Sequence, residues 1–327
     1  MRIALDIFRA LADATRLRIV TLLGSMELSV GELAQVLGQS QPRVSRHVKI
    51  LCDVGLAERR KEGSWVFLAL GQAARVAPVM RAVEALAGLD GDHWAVADAA
   101  RLAAVRADRA TSAASWFEAH AGEWDAIRSL HVAEDQVEDA IGGVLGDATI
   151  GRLIDIGTGT GRMLELFGGR ADHALGIDRS SEMLRLARAK LSEQGVNADL
   201  RQADLYALPL GDGEADLAIL HHVLHFAQQP GAAIAEAARV LAVATPGRAG
   251  GRLLIADFAP HDREELRQQA AHTRLGFSDE QIAQWFEAAG LALSRVETLE
   301  GGALSVKLWL GTKAPVRAGV RHLRNVA

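Results

Sequence analysis

The chain has 327 residues, 49% hydrophobic and 24% charged, with a formal net charge of −5. That length accommodates two or three domains, and the modest acidity argues against a protein coated in nucleic acid but not against one basic DNA-contacting face. No stretch approaches the roughly 18 uninterrupted apolar residues of a membrane span, and Cys52, the single cysteine, excludes an internal disulfide framework or a thiolate metal cage.

The start, Met1-Arg2-Ile3-Ala4-Leu5-Asp6, lacks a long apolar segment and a small-residue cleavage site, so a cytoplasmic protein is expected. Leu5, Phe8 and Leu11, then Leu17, Val20 and Leu23, recur at helical spacing on either side of Asp13-Ala14-Thr15. Two helices follow, with Asp13 or Thr15 as N-cap and Gly24 as the stop. Ser29, with Glu32 three residues on, predicts a capping box opening a short helix whose apolar face is Val30, Leu33, Ala34 and Leu37. Gly38 ends it, and Ser40 is expected to cap the next helix, with Pro42 tolerated in its first turn. Val44, Val48 and Leu51 point inward there, which leaves Gln41, Arg43, Ser45, Arg46 and Lys49 on the outer face.

Two short helices joined by a glycine turn, the second with a basic outer face, form a helix-turn-helix pattern. Residues 56–60 and 65–70 then alternate as a β-hairpin, a wing whose basic side holds Arg59, Arg60 and Lys61. Residues 1–70 contain ten Lys/Arg and seven Asp/Glu, net +3, so the remainder nets −8. The positive excess sits where phosphates would be met. The stretch from Phe8 to Ile19 with this helix pair and wing resembles the ArsR/SmtB winged-helix repressors over about residues 3–88. The resemblance implies a homodimer on a double-stranded DNA operator. Metal-sensing members carry two cysteines in an E-L-C-V-C-D-L segment; here Ser29 and Gly31 stand at those positions, so that metal site is absent. Cys52 is expected to be a small buried residue.

Residues 71–88 are Ala/Val-rich and helical, a helix that in such repressors helps to form the dimer. Gly88–Asp92 is the candidate hinge, and about 93–145 is a helical stretch in which Trp116, Phe117 and Trp124 stand out. These aromatics either pack helix on helix or belong to a lid over a binding site.

Leu153-Ile154-Asp155-Ile156-Gly157-Thr158-Gly159-Thr160-Gly161-Arg162 begins as a strand and breaks into three alternating glycines before a helix. Such a turn lets backbone approach a phosphate or nucleoside closely. The dinucleotide fingerprint G-x-G-x-x-G fits poorly, because the third glycine falls at 161 and position 162 is Arg. The next strand ends on Asp178, about 20 residues after the first glycine, suited to ribose hydroxyls. Asp204 closes a third strand, residues 215–220 form an apolar fourth, and 251–258 a fifth. Ser278 to Gln281 opens a helix with Ile282, Trp285 and Phe286 inward, and 293–299 with 304–310 suit a terminal antiparallel pair.

These motifs, in this order, resemble class I S-adenosylmethionine (SAM) dependent methyltransferases. The resemblance implies a Rossmann-like sheet that binds SAM or S-adenosylhomocysteine (SAH). It assigns Asp155, Gly157, Gly159 and Gly161 to the methionine and ribose side and Asp178 to the ribose hydroxyls, with Ser180 and Met183 following and Met183 placed to pack on the adenine face. It assigns Asp204 and Leu205 to the adenine edge and His221 to the neighbourhood of the sulfonium. His221, His222 and His225 are candidate catalytic bases, with His261 as a further one; against each stands the favoured reading that it fills the pocket wall or donates a hydrogen bond. Arsenite methylation, which uses several thiolates, is excluded by the lack of cysteine after Cys52, and no metal cofactor is expected.

The expected fold class is α + α/β. An N-terminal winged helix-turn-helix spans 1–88, a helical linker or lid 89–149, the methyltransferase sheet 150–313 and a tail 314–327. Two functions stay open: a regulator, chiefly a repressor, with SAM or SAH as effector, or an active methyltransferase with a small-molecule acceptor that regulates its own operon.

Overall fold

The computed structural model describes residues 2–62, 65–86, 94–105, 107, 133–246, 249–300 and 303–315. The chain divides into two compact units: Met1–Trp116 with Pro260–Leu275, and Phe117–Ala259 with Gly276–Ala327.

In the first unit, α1 (Arg2–Leu11) and α2 (Ala14–Ser25) part at Asp13, whose carboxylate accepts from the Arg16 N–H at 3.0 Å as N-cap. β1 (Leu28–Ser29) enters α3 (Val30–Leu37), where Ser29 and Glu32 make both bonds of the capping box and Gly38 stops the helix in the left-handed region, φ 64°. The buried face of α3 is Leu33, Val36 and Leu37, with Val30 and Ala34 only half-buried.

α4 (Gln41–Asp53) departs from expectation at its start, since the Ser40 side chain makes no capping bond. Pro42 removes one of the two N–H groups a cap would bind, and the other, from Arg43, already donates to the Ser40 carbonyl at 3.0 Å. β2 (Ala57–Glu62) and β3 (Trp65–Leu70) pair antiparallel from Ala57↔Leu70 to Glu62↔Trp65, and β1 adds to β3 through Leu28↔Leu68. Leu33, Val36, Val44, Val48, Leu51, Leu56 and Leu68 are fully buried between these elements. Truncating any one of the leucines to alanine would cost about 2–5 kcal/mol. Cys52 is half-buried against the edge of that core rather than inside it.

α5 (Ala73–Leu86) follows the wing. A helix over 94–105 adds Leu102 and Val105 to the same core, and Asp98, 5% exposed, takes both guanidinium arms of Arg18 at 2.6 Å. The aromatics Trp116, Phe117 and Trp124 lie outside the described residues. From the far end of the chain, Pro260–Leu275 contributes Arg274, which is buried, pairs with Glu27 at 2.7 Å and lies over the Phe67 ring at 4.5 Å.

The second unit is a seven-stranded sheet in the order β6-β5-β4-β7-β8-β10-β9. β4 (Ile150–Ile156), β5 (Ala171–Asp178), β6 (Asp199–Gln202), β7 (Leu217–His221) and β8 (Arg252–Phe258) run parallel; β9 (Leu291–Leu299) and β10 (Val306–Lys313) close the edge antiparallel. A strand covered on both faces needs continuous apolar sequence, which is why β7 and β8 do not alternate. α6 (Glu134–Leu145), α7 (Arg162–Phe167), α8 (Ser181–Glu193), α9 (Pro230–Val240) and α10 (Asp279–Ala288) belong to this unit. Trp309 is fully buried yet satisfied, since its Nε1–H donates to Asp279 at 2.8 Å.

The chain goes from β4 outward to β5 and β6, then returns to β7 on the other side of β4. That reversal leaves a crevice beyond the carboxyl ends of β4 and β7, the usual ligand position in an open parallel sheet.

Candidate functional site

At the end of β4 the backbone takes positive φ at Gly157 (73°), Gly159 (53°) and Gly161 (87°). The N–H groups of Gly157 and Thr158 donate to the Ile177 carbonyl at 2.7 and 2.9 Å, which ties the turn to β5. A Cβ at Gly157 would stand 2.5 Å from the Val223 side chain, so the turn lies close against the loop after β7. Asp155 is buried beneath it, and its carboxylate accepts from Thr158 Oγ1 at 2.6 Å. This makes Asp155 a shaper of the turn.

Asp178 sits at the carboxyl end of β5. Its Oδ2 accepts from Gly159 N–H at 2.9 Å and its Oδ1 from Ser180 N–H at 2.8 Å. Burial pushes the carboxyl pKa up, against the N–H groups of Ser180, Gly159 and Arg179, which favour the anion. Ser180 is the N-cap of α8, accepting from Met183 N–H at 3.2 Å, and Met183 is itself buried in the core. Asp204 is exposed on the turn after β6, where its Oδ1 accepts from Tyr206 N–H, and Leu205 is half-buried beside it. Arg162, the residue that spoiled the dinucleotide fingerprint, forms two 2.6 Å bonds to Glu138 and reaches Glu165 at 2.7 Å. These partners, led by the Glu138 hydrogen bonds, raise its pKa further. The arginine thus clamps α7 onto α6.

Across the crevice, β7 ends at His221. His222 follows in the left-handed region, φ 54°, and its N–H donates to the Ala256 carbonyl at 2.8 Å. His221, His222 and His225 are all buried. His225 Nδ1 lies 2.8 Å from Asp257 Oδ1, and its backbone N–H donates to Asp257 Oδ2 at 3.2 Å. Asp257, near the end of β8, is inaccessible to solvent, and burial pushes its pKa up to about 6. The sequence reading named the three histidines but gave Asp257 no role. The available sign was an acid near the end of an apolar parallel strand. His261 falls in Pro260–Leu275, within the first unit, and its Nδ1 accepts from Arg263 N–H at 3.2 Å.

Residues 154–255, which span β4 to β8, match the family described as a methyltransferase domain, and residues 13–59 match that of bacterial regulatory proteins of the arsR family. The chain is an ArsR-type winged helix fused to a methyltransferase domain. The winged helix is 49% identical over 63 residues to the arsenical resistance operon repressor of Escherichia coli, a match covering 19% of this chain and 54% of that one, so about half of the relative's length. The ubiquinone biosynthesis O-methyltransferase of Aeromonas salmonicida is 28% identical over 231 residues, 64% of this chain and 92% of its own. Among solved structures, a chain of the complex between the Haloferax volcanii Trm112 methyltransferase activator and its methyltransferase superposes with a TM-score of 0.50. It has 19% identity and covers 61% of this chain and 97% of its own, a likeness of fold.

On the ArsR-type winged helix, Gln41, Arg43, Arg46 and Lys49 are exposed along α4, Ser45 is half-buried, and Arg59 is exposed at the start of the wing. Arg60 and Lys61 belong to β2, paired with Phe67 and Val66. Among the described residues, no helix is long and apolar enough to cross a membrane.

Proposed function

We propose that this chain is a cytoplasmic transcriptional repressor whose methyltransferase domain binds SAM or SAH as an effector. The observation that carries the reading is a nucleoside cradle on the same chain as a complete DNA-reading helix. Three glycines leave alternate positions of the turn after β4 without side chains, and the Asp178 carboxylate faces it from β5. A SAM or SAH molecule fits this cradle. Asp155, Gly157, Gly159 and Gly161 form its floor, Asp178 takes the ribose hydroxyls, and Ser180 and Met183 hold the strand end that presents Asp178. Asp204 and Leu205 border the adenine and His221 the sulfur. Bound SAM supplies an electrophilic methyl group; bound SAH supplies none.

Gln41, Arg43, Ser45, Arg46 and Lys49 read a double-stranded operator, and Arg59, Arg60 and Lys61 hold its backbone. The exposed apolar side chains Ile3, Leu5 and Phe8 on α1, the last 70% accessible, support a homodimer. The functional boundaries we assign are 1–88 for DNA binding and dimerisation, 89–149 for the linker, 150–313 for ligand binding and 314–327 for the tail.

The test is fluorescence anisotropy of the full chain on DNA from its own promoter at fixed salt, with no ligand, SAM or SAH. A ligand-dependent change in affinity is expected, and Asp178→Ala is expected to abolish it. Equal affinity in all three conditions removes the effector role.

A second reading rests on one observation, the His225–Asp257 pair at 2.8 Å beside the crevice. A histidine oriented by a buried carboxylate can accept a proton from a small-molecule acceptor as methyl transfer proceeds. Turnover of SAM to SAH on addition of an acceptor would favour it.

A further inference from the structure

His222, His225 and Asp257 each aim a ligating atom into one small volume, all within 4.8 Å of one another, and all three are buried. Asp257 comes from β8, while the histidines come from the loop after β7, so the cluster joins two neighbouring parallel strands.

Three features mark it as built. First, His222 holds φ 54°, a conformation uncommon for a residue with a side chain and one that clusters at functional sites. Its backbone is pinned by the bond to Ala256, which fixes the ring on the Asp257 side of the loop. Second, the Asp257 carboxylate is oriented from the main chain, by Phe258 N–H at 2.8 Å and His225 N–H at 3.2 Å. Such outer bonds orient a ligating carboxylate. Third, the walls are aromatic. The Phe258 ring lies 4.9 Å from both His222 and His225, and Phe226 stacks 3.9 Å from His225, which limits access of water.

We propose that His222, His225 and Asp257 form a binding site for a divalent transition-metal ion. Two imidazoles and one carboxylate suit zinc, iron(II) or cobalt(II), and leave coordination positions for further ligands. Ions of this class hold nitrogen and oxygen ligands at about 2.0–2.2 Å, so the three groups, within 4.8 Å of one another, would draw closer around the ion. The argument from cysteine content, which excludes a thiolate cage, does not reach a nitrogen and oxygen set. Val223, between the two histidines, packs over Gly157, so the metal loop and the glycine turn share a wall. The proposal does not depend on SAM serving as effector; a metal held by His225 and Asp257 would take that pair out of the proton-accepting role of the second reading.

The experiment is titration of the chelator-stripped full chain with cobalt(II), followed by visible absorption, and with zinc(II), followed by calorimetry. Uptake of one equivalent with ligand-field bands of a nitrogen/oxygen site is expected. His222→Asn keeps a residue that tolerates the left-handed backbone but loses the imidazole, and Asp257→Asn removes the anionic ligand. Each is expected to weaken uptake by at least about tenfold while far-UV circular dichroism is retained. No stoichiometric uptake by the unsubstituted chain overturns the proposal, as does uptake that survives His222→Asn and His225→Gln together.

Discussion

At the scale of single residues, the glycine turn gives the sharpest test. Gly157 has positive φ and lies against Val223, so alanine there meets both a backbone penalty of about 1–2 kcal/mol and a collision. Gly157→Ala is expected to lower SAH affinity at least about tenfold by calorimetry, which corresponds to about 1.4 kcal/mol. Unchanged affinity would move the ligand away from this turn. The turn was legible in the sequence because positive φ demands a residue type that stands out. Asp178 was legible for a related reason, as an acid at a fixed distance from the glycines. Asp257 was not, because an acid inside an apolar run carries no sign of the histidine that will face it from another strand. Arg162 was seen only as a mismatch; its value as a clamp depends on Glu138, far enough away in sequence that spacing is silent.

Among elements, the turn carrying Asp204 is held from α9. Glu236 accepts from Leu208 N–H at 2.7 Å, and Arg239 donates to the Leu210 carbonyl and to Asp212 at 2.9 and 2.8 Å. The hydrogen bond from Arg239 holds the Glu236 carboxyl below its ordinary range, against the opposing effect of burial. A depressed carboxylate contributes stability above its unfolded pKa, ordinarily near 4.5 for Glu, and loses that contribution as pH falls through the lower folded value. Glu236→Gln is therefore expected to lower stability at pH 7 by about 1–2 kcal/mol. The gap should close in acid, with the two melting temperatures converging as pH falls through that lowered value. A gap independent of pH would assign the effect to packing. Sequence patterns found these elements well where the cause was local: the capping box at Ser29 needs only residues three apart. They failed at Ser40 because the bond depends on which donors remain after Pro42 and the Arg43 main chain are counted. Val36 was missed because one short helix can be turned either way until its neighbours are known.

For the whole molecule, the division of charge anticipated the division of labour: residues 1–70 net +3 in a chain of −5. The apolar face proposed for dimerisation is more evident in the structure than in the sequence. Phe8 looked like one member of a helical apolar stripe, yet it is 70% accessible, beside Ile3 at 63%. Phe8→Glu is expected to shift sedimentation toward the monomer and to weaken operator binding, since one half-site alone is held poorly. A dimer that survives the change places the interface elsewhere. The helix over 94–105, part of a stretch the sequence left open between lid and packing, adds Leu102 and Val105 to the winged-helix core.

Pro260–Leu275 bears on how such a protein can be taken apart. In sequence it connects the fifth parallel strand to α10 and contains a short helix, Glu265–Gln269. In space it is counted with the winged helix, with Arg274 buried over Phe67 and against Glu27. Gly276 closes its return at φ 82°, where a Cβ would meet the Ala259 carbonyl at 2.0 Å. The first unit is therefore built from two separate stretches of the chain. Residues 1–116 expressed alone would uncover Phe67 and are expected to melt below the first transition of the full chain. For the same reason, recombination that exchanged the DNA-reading half at a single crossover would leave behind a piece of its own interior. A change of DNA sequence preference is therefore expected to be simpler through substitutions on the surface of α4 than through replacement of the winged helix.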